Sequence, residues 1–397
     1  MNIERTRQWG LADGLAVCCI WVVIGQILQW TIGPVAWSAM AWPVNAVVLA
    51  LLLFFLFAMH VCRRRVYLFR WMATLSAGIP ALVAAAMLTV LMGVTRQVPE
   101  GHPAVDPFGI TGMLSYWPFV LVYLWLTVLV GMVSLTRLAR PSLRSIPFLL
   151  NHLGIFIALV AGTLGNADMQ RLKMTTQVGL TEWRAMDRHH RVLELPVAVE
   201  LHRFSIDEYP PKLLCIDNET GEMTDDGGWQ LQQVEVLDEA APTGNGDSGY
   251  VEWRGVGATS AIRVHAVRGS EQKDGWVSCG SYAFPSCGMA LDAERVLVMP
   301  TREPRSYSSD VTIHTESGKT MRDTISVNKP LSIDGWKIYQ FSYDESKGRW
   351  SDISILELVR DPWLPYVYAG IFMMLIGAVC MFVIPKGSPR KGEDERG

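Results

Sequence analysis

The sequence predicts a membrane protein: an α-helical transmembrane bundle of about six spans, with a large exported all-β, sandwich-like domain inserted before the last span. Three observations carry that expectation. Six apolar runs approach the ~20 residues needed to cross ~30 Å of hydrocarbon. The roughly 200 residues between the fifth and sixth runs replace continuous apolar sequence by two-residue alternation. Lysine and arginine gather in alternate connections, as positive-inside topology requires. Composition agrees, since half of the 397 residues are apolar, 15 are Trp and 18% are charged, a poor match to a simple soluble globule.

The runs fall at Leu11–Thr31, Val44–His60, Met72–Gly93, Leu114–Leu135, Ile146–Leu164 and Leu364–Ile384. Arg5 and Arg7 precede the first, "CRRRVYLFR" (Cys62–Arg70) follows the second, "TRLARPSLR" (Thr136–Arg144) the fourth and "PKGSPRK" (Pro385–Lys391) the sixth. Both termini are therefore expected in the cytoplasm and the long section outside. The first run has a basic flank but no small-residue cleavage site after it, and reads as a retained signal-anchor. The expected division is a five-span N-terminal region 1–164, an exported domain 165–362, a last helix 363–385 and a cytoplasmic tail 386–397.

In the exported section "LPVAVELHRF" (Leu195–Phe204) alternates Leu195, Val197, Val199 and Leu201, and "WQLQQVEVL", "SAIRVHAV", "ERVLVM", "DVTIHT", "TISV", "WKIYQFSY" and "ISILELV" add candidate strands. "ETGE", "ESGK" and "SIDGW" place Gly where tight reversals need positive φ. A β-sandwich or open barrel follows, with "DEAAPTGNGDS" (Asp238–Ser248) as a mobile loop.

Chemical motifs are sparse. Cys18, Cys19, Cys62 and Cys380 lie in or beside spans, where a thiol is apolar filler. Cys215, Cys279 and Cys287 are exported, and the C-x7-C pair of Cys279 and Cys287 is open to either a disulfide or two free thiols. The chain has no CxxC, CxxCH, Walker loop, GxGxxG, HExxH or GxSxG, so thiol-redox, ATPase, zinc-protease and serine-hydrolase classes have no support. Asp13, at a span edge, is the sole carboxylate near a span interior, which argues against proton-coupled transport.

Histidines remain. His152 lies under ~10 Å inside the cytoplasmic end of its helix at 1.5 Å per residue, and His60 closes the second run before Arg63–Arg65. Neutral imidazole is an axial ligand for haem iron, and the anionic propionates of haem suit a membrane edge rich in arginine. The alternative for both is a helix-end imidazole bonded to a neighbour. Gly154, Ala158 and Gly162 form a small-xxx-small packing stripe, with His152 pointing away from it. His102, His189 and His190 sit in exported loops, and His202, His265 and His314 read as solvent-facing strand positions.

"LLNHLGIFIALVAGTLGNAD", "ELPVAVELHRFSIDEYPPKLLCID", "SVNKPLSIDGWKIYQFSYDESKG" and "LVRDPWLPYVYAGIFMMLIGA" resemble the ResB family of cytochrome c biogenesis proteins, the membrane partners of CcsA in the System II haem-attachment route. The resemblance covers roughly 110–385. It implies a subunit of a cytochrome c synthase in the bacterial cytoplasmic (inner) membrane, assisting haem transfer and delivery to CxxCH apocytochromes, with haem b held transiently. The family's membrane histidine beside Leu-Gly matches His152; His60 has no firm counterpart and stays a secondary candidate. Two departures stand out. Family members usually have three spans before the exported domain against five here, and the tryptophan-rich WWD motif of CcsA is missing, so a separate CcsA-like partner is required. Expected partners are that protein, an apocytochrome c, haem and the bilayer, with no nucleic acid. The resemblance leaves the chain a non-catalytic or co-catalytic subunit of a haem-lyase complex. The rival reading is a membrane-anchored envelope binding, sensor or scaffold module with no haem role.

Overall fold

Where the sequence places apolar runs, helices form. A computed structural model describes residues 8–99, 102–139, 142–244 and 249–383, without the Arg144 side chain. Arg5, Arg7, Arg140, the basic segment 385–391 and the expected tail 386–397 lie outside the described residues. The helices are α1 (Leu11–Ile32), α2 (Val44–Cys62), α3 (Tyr67–Trp71), α4 (Leu75–Val94), α5 (Trp117–Leu138), α6 (Ile146–Gly165) and α7 (Leu364–Val383). All except the short α3 are long and apolar enough to cross a membrane. Pro118 and Pro147 stand in the first turns of α5 and α6, where a missing N–H costs no helical bond. At the start of α1 the Asp13 carboxylate accepts from the Gly10 amide at 2.7 Å, placing negative charge at the positive end of the helix.

Two compact units result. One comprises the helices up to Met169 and again from Asp361, and the other runs from Gln170 to Arg360. The β-rich unit follows five apolar helices and precedes the last. After α6 the chain makes a further 3-10 turn, Asn166–Asp168, before the first strand.

Small residues let the helices of the first unit approach. A Cβ at Gly154 would stand 2.5 Å from the Gly370 carbonyl and the Met374 amide of α7, and one at Gly377 would stand 2.5 Å from the Asn151 amide of α6. The α6–α7 seam is thus backbone against backbone, the geometry that small-xxx-small patterns allow. The expected stripe is corrected at one position: a Cβ at Gly162 meets nothing within 4 Å, so that residue faces open space.

The second unit contains β1 (Gln170–Gln177), β2 (Thr181–Met186), β3 (Val192–Glu208), β4 (Leu214–Asp217), β5 (Gln230–Pro242), β6 (Tyr250–Glu252), β7 (Thr259–Arg268) and β8 (Glu271–Ser278). There follow β9 (Met289–Ala290), β10 (Arg295–Val298), β11 (Pro304–Thr315), β12 (Thr320–Ser326), β13 (Leu331–Ile333), β14 (Trp336–Tyr343) and β15 (Ile353–Arg360). Eight strands in the order β12-β11-β3-β2-β1-β15-β14-β13 curl round one core of Met174, Val199, Leu201, Ile313, Ile338 and Leu358, all essentially inaccessible to solvent. The edge strands β12 and β13 approach without ladder pairing, which makes this sheet an open barrel. A second core, with Trp229, Ile262, Val264 and Leu297, lies between the sheets β6-β5-β7-β8 and β4-β10-β9, giving the sandwich element.

The turn chemistry holds. Asp334 and Gly335 have φ of 45° and 82° in the two-residue turn that pairs Ile333 with Trp336, both in the left-handed region that an Asp-Gly turn supplies. The expected loop from Asp238 is corrected, because β5 runs on to Pro242 and pairs Ala240 with Glu252 and Ala241 with Val251; Ala240 is fully buried. Residues 245–248 lie outside the described set.

Candidate functional site

His152 stands in the second turn of α6, partly buried. Its Nδ1 lies 3.0 Å from the Phe148 carbonyl oxygen one turn earlier. A carbonyl accepts and never donates, so Nδ1 carries the proton and Nε2 keeps its lone pair. The ring stacks on Phe148 at 3.8 Å between centroids and 24° between planes, which fixes the direction of that lone pair. Arg137, in the last turn of α5, covers Phe148 with its guanidinium 5.0 Å from the ring centroid. Beside His152, Asn151 Nδ2 donates to the Met374 carbonyl of α7 at 3.1 Å, so the turn bearing the imidazole is anchored on both sides.

His60 is placed differently. Arg63 Nη1 lies 3.4 Å from its Nδ1 and donates to Thr136 Oγ1 at 2.8 Å. A guanidinium can only donate, so His60 accepts through Nδ1 and carries its proton on Nε2, presenting no free lone pair outward. The Arg63–Thr136 and Arg137–Phe148 contacts gather the ends of α2 and α5 and the start of α6. Both histidines and two arginines therefore share one end of the bundle.

The remaining histidines have other partners. His102 is exposed in the α4–α5 connection. His189 and His190 lie in the exposed β2–β3 turn closed by Asp187 and Arg191. The Arg191 amide, against partial desolvation, and then the Arg191 guanidinium and His189 amide hold the Asp187 carboxyl down to about 2. His202 Nε2 meets Thr312 Oγ1 at 2.7 Å, His265 Nδ1 meets Asp274 at 3.1 Å and His314 Nδ1 meets Thr320 Oγ1 at 3.3 Å. These are cross-strand surface pairs. Among the described residues no three His, Cys, Asp or Glu side chains gather to hold a bare metal ion. The donor set of the bundle end fits an iron porphyrin better: one imidazole with an open Nε2 and nearby guanidinium groups for carboxylates.

The β unit holds a polar cavity of about 270 Å³ that sequence reading missed, lined by Glu208, Ser260, Cys279, Arg302, Arg349 and Trp350 among others. Arg302 spans it, donating to the Tyr209 carbonyl at 2.9 Å and Ser260 Oγ at 3.1 Å and pairing with Glu208 at 3.4 Å. No short motif announces it, because its lining comes from segments far apart in sequence. Cys279 and Cys287 are free thiols here, with Cys287 bridged through its backbone to Ser278 at 2.8 and 3.0 Å.

Six apolar helices long enough to span a membrane, interrupted before the last by a β-rich unit, define a multi-pass membrane protein with a large extramembrane insert. The model of the ResB-like family matches residues 286–353, the stretch from the approach to β9 to the start of β15. It includes the "NKPLSIDGWKIYQ" segment and links the chain to cytochrome c biogenesis in general. The bundle end bearing His152 lies outside the matched residues. Among curated proteins no match is found.

Proposed function

We propose that this chain is a ResB-like subunit of a membrane cytochrome c synthase, which takes haem b at the cytoplasmic leaflet and assists its transfer to CxxCH apocytochromes across a bacterial inner membrane. The observation that carries the reading is the His152 tautomer: the Phe148 carbonyl holds the proton on Nδ1 and leaves Nε2 as the iron-ligating atom. Haem is cargo here. His152 supplies one axial position, Arg63 and Arg137 sit at the same end of the bundle to receive propionates, and the second axial ligand comes from a CcsA-like partner. His60 becomes a ligand only after its Nδ1 lone pair gives up the Arg63 contact. Thioether formation, which needs free thiols and reduced haem, falls to the partner's exported face, and the β unit serves as the docking platform for apocytochrome or partner.

The test is the Soret spectrum of the full chain purified with a CcsA-like partner. Wild type is expected to retain haem, His152→Ala to lose it, and His152→Gly to regain it with added imidazole, while His60→Ala retains it. Haem content indifferent to His152, or haem absent from every sample, overturns the reading in favour of an envelope binding or scaffold module.

A further inference from the structure

The polar cavity of about 270 Å³ lies wholly within the β unit, where five segments meet. Glu208 ends β3, Ala258–Ser260 enter β7, Cys279–Tyr282 follow β8, Thr301 and Arg302 precede β11, and Glu345–Trp350 connect β14 to β15. The last of these is tied down. Arg349 Nη2 donates to the Asp238 carbonyl at 2.8 Å and the Ala258 carbonyl at 3.4 Å, and Trp350 Nε1 donates to the same Ala258 carbonyl at 2.9 Å. The Arg349 guanidinium also rests over the Trp350 ring, 5.1 Å from its centroid, so a ligand meets a long side chain that is already ordered.

Three cations line the cavity, and two have carboxylate partners. Arg302, its side chain 14% exposed, pairs with Glu208 and with Asp238, each at 3.4 Å, and Lys347 pairs with Asp352 at 2.5 Å. Arg349 has no carboxylate partner among the described residues, only the two carbonyls and the indole. A guanidinium carries five N–H groups. The three on Nε and Nη1 of Arg349 and the two on Nη2 of Arg302 have no acceptor among the described residues. Spare acceptors in the wall are fewer, because Glu208 is engaged by Arg302 and Glu345 stands exposed.

An excess of donors fits an acceptor-rich ligand, and an unmatched guanidinium selects an anion whose two coplanar oxygens match its fork. Charge narrows the choice. A dianion such as phosphate meets both Glu208 and Glu345 in the same wall, where like charges repel, whereas one negative charge balances Arg349 alone. The volume is just below that of sites for drug-sized ligands, so it suits a small molecule or the tip of a larger one.

We propose that this cavity binds a monocarboxylate, either a small organic acid or the C-terminal carboxylate of a polypeptide, with Arg349 as its anchor. The site is separate from His152 and independent of the haem reading.

Saturation-transfer NMR on the full chain in detergent, measured against empty micelles, tests it with N-acetylalanine as the probe. Wild type is expected to bind N-acetylalanine saturably and N-acetylalaninamide, the same shape without the charge, about 10-fold more weakly, the scale of one charge-assisted bond. Arg349→Gln should lose about the same factor, and Arg349→Lys, which keeps the charge and loses the fork, should fall between. Arg305→Gln, at an exposed position outside the cavity, should bind as wild type does. The comparison of acid with amide on wild type stands even if an Arg349 variant misfolds. An acetylated pentapeptide with a free C-terminal carboxylate that binds more tightly than N-acetylalanine assigns the site to chain ends; one that binds no more tightly assigns it to free acids. No saturable signal beyond empty micelles, acid and amide bound equally, Arg349→Gln binding as wild type, or inorganic phosphate competing as well as the acid would overturn the proposal.

Discussion

Replacing Gly370 by alanine tests the seam that positions the His152 turn. An ideal Cβ at Gly370 stands 2.7 Å from both the Ala158 amide nitrogen and the Gly154 carbonyl oxygen, against ordinary contacts of 3.4–4 Å. Both obstacles are backbone atoms of α6, so neither can rotate aside, and α6 and α7 must part by about 1 Å. Overpacking of this kind costs about 1–3 kcal/mol. The Asn151–Met374 bond at 3.1 Å stretches beyond useful range, for about 1 kcal/mol more. The better helix propensity of alanine offsets about 1 kcal/mol, leaving a net loss of about 1–3 kcal/mol. The internal control is Gly162→Ala on the face of α6 where a Cβ meets nothing, expected to be neutral or slightly stabilising. The assay is loss of helical circular dichroism of the detergent-solubilised full chain as sodium dodecyl sulfate is raised. Gly154→Ala should resemble Gly370→Ala, and the double variant should cost less than the sum because both insert into the same contact. Equal unfolding midpoints for Gly370→Ala and Gly162→Ala would refute the close-packed seam.

Two further predictions concern turns outside the helices. Asp106, in the α4–α5 connection, is partly desolvated, which raises its pKa, but the amides of Thr111, Ile110 and Gly109 and the Thr111 hydroxyl outweigh this and hold the carboxyl well below the usual range. A depressed folded pKa means stability that is present above the unfolded value near ~4 and lost as pH falls toward the folded one. The melting-temperature advantage of wild type over Asp106→Asn should therefore be full at pH 6 and shrink progressively below about pH 4; an advantage constant from pH 6 to pH 3 would contradict this account. Gly335→Ala forces a Cβ onto φ of 82° at a cost of about 1–2 kcal/mol, read as a lowered midpoint of the β-sheet infrared transition on heating. An unchanged midpoint would mean the turn relaxes freely.

Much of this architecture is written in local pattern. Apolar runs near 20 residues place the six long helices, because lipid solubility depends on composition over one short window. Alternation exposes strands such as β3 and β14, because one face of each is packed. Strand β1 escapes the same reading: "QRLKMTTQ" buries Leu172, Met174 and Thr176, yet its composition is mostly polar. Strand β8 hides behind "EQKDGWVS" for the same reason. The loop expected from Asp238 becomes strand because a partner, β6, arrives from beyond it, and pairing between distant segments overrides weak local preference.

At the candidate site the sequence alone identified His152 and His60 as imidazoles near arginine-rich helix ends, and it ranked His152 ahead through a family likeness. Tertiary structure decided what neither spacing nor likeness contains: that Arg63 occupies the Nδ1 lone pair of His60, that Arg349 lines the β-unit cavity with no carboxylate partner among the described residues, and that Gly154 rather than Gly162 meets α7. Chain composition sets which solvent each segment prefers, a sum over neighbours along the sequence. Lone pairs, unpaired protons and sub-ångström fits depend on which distant atoms arrive at the same point, and that is settled only when the helices pack.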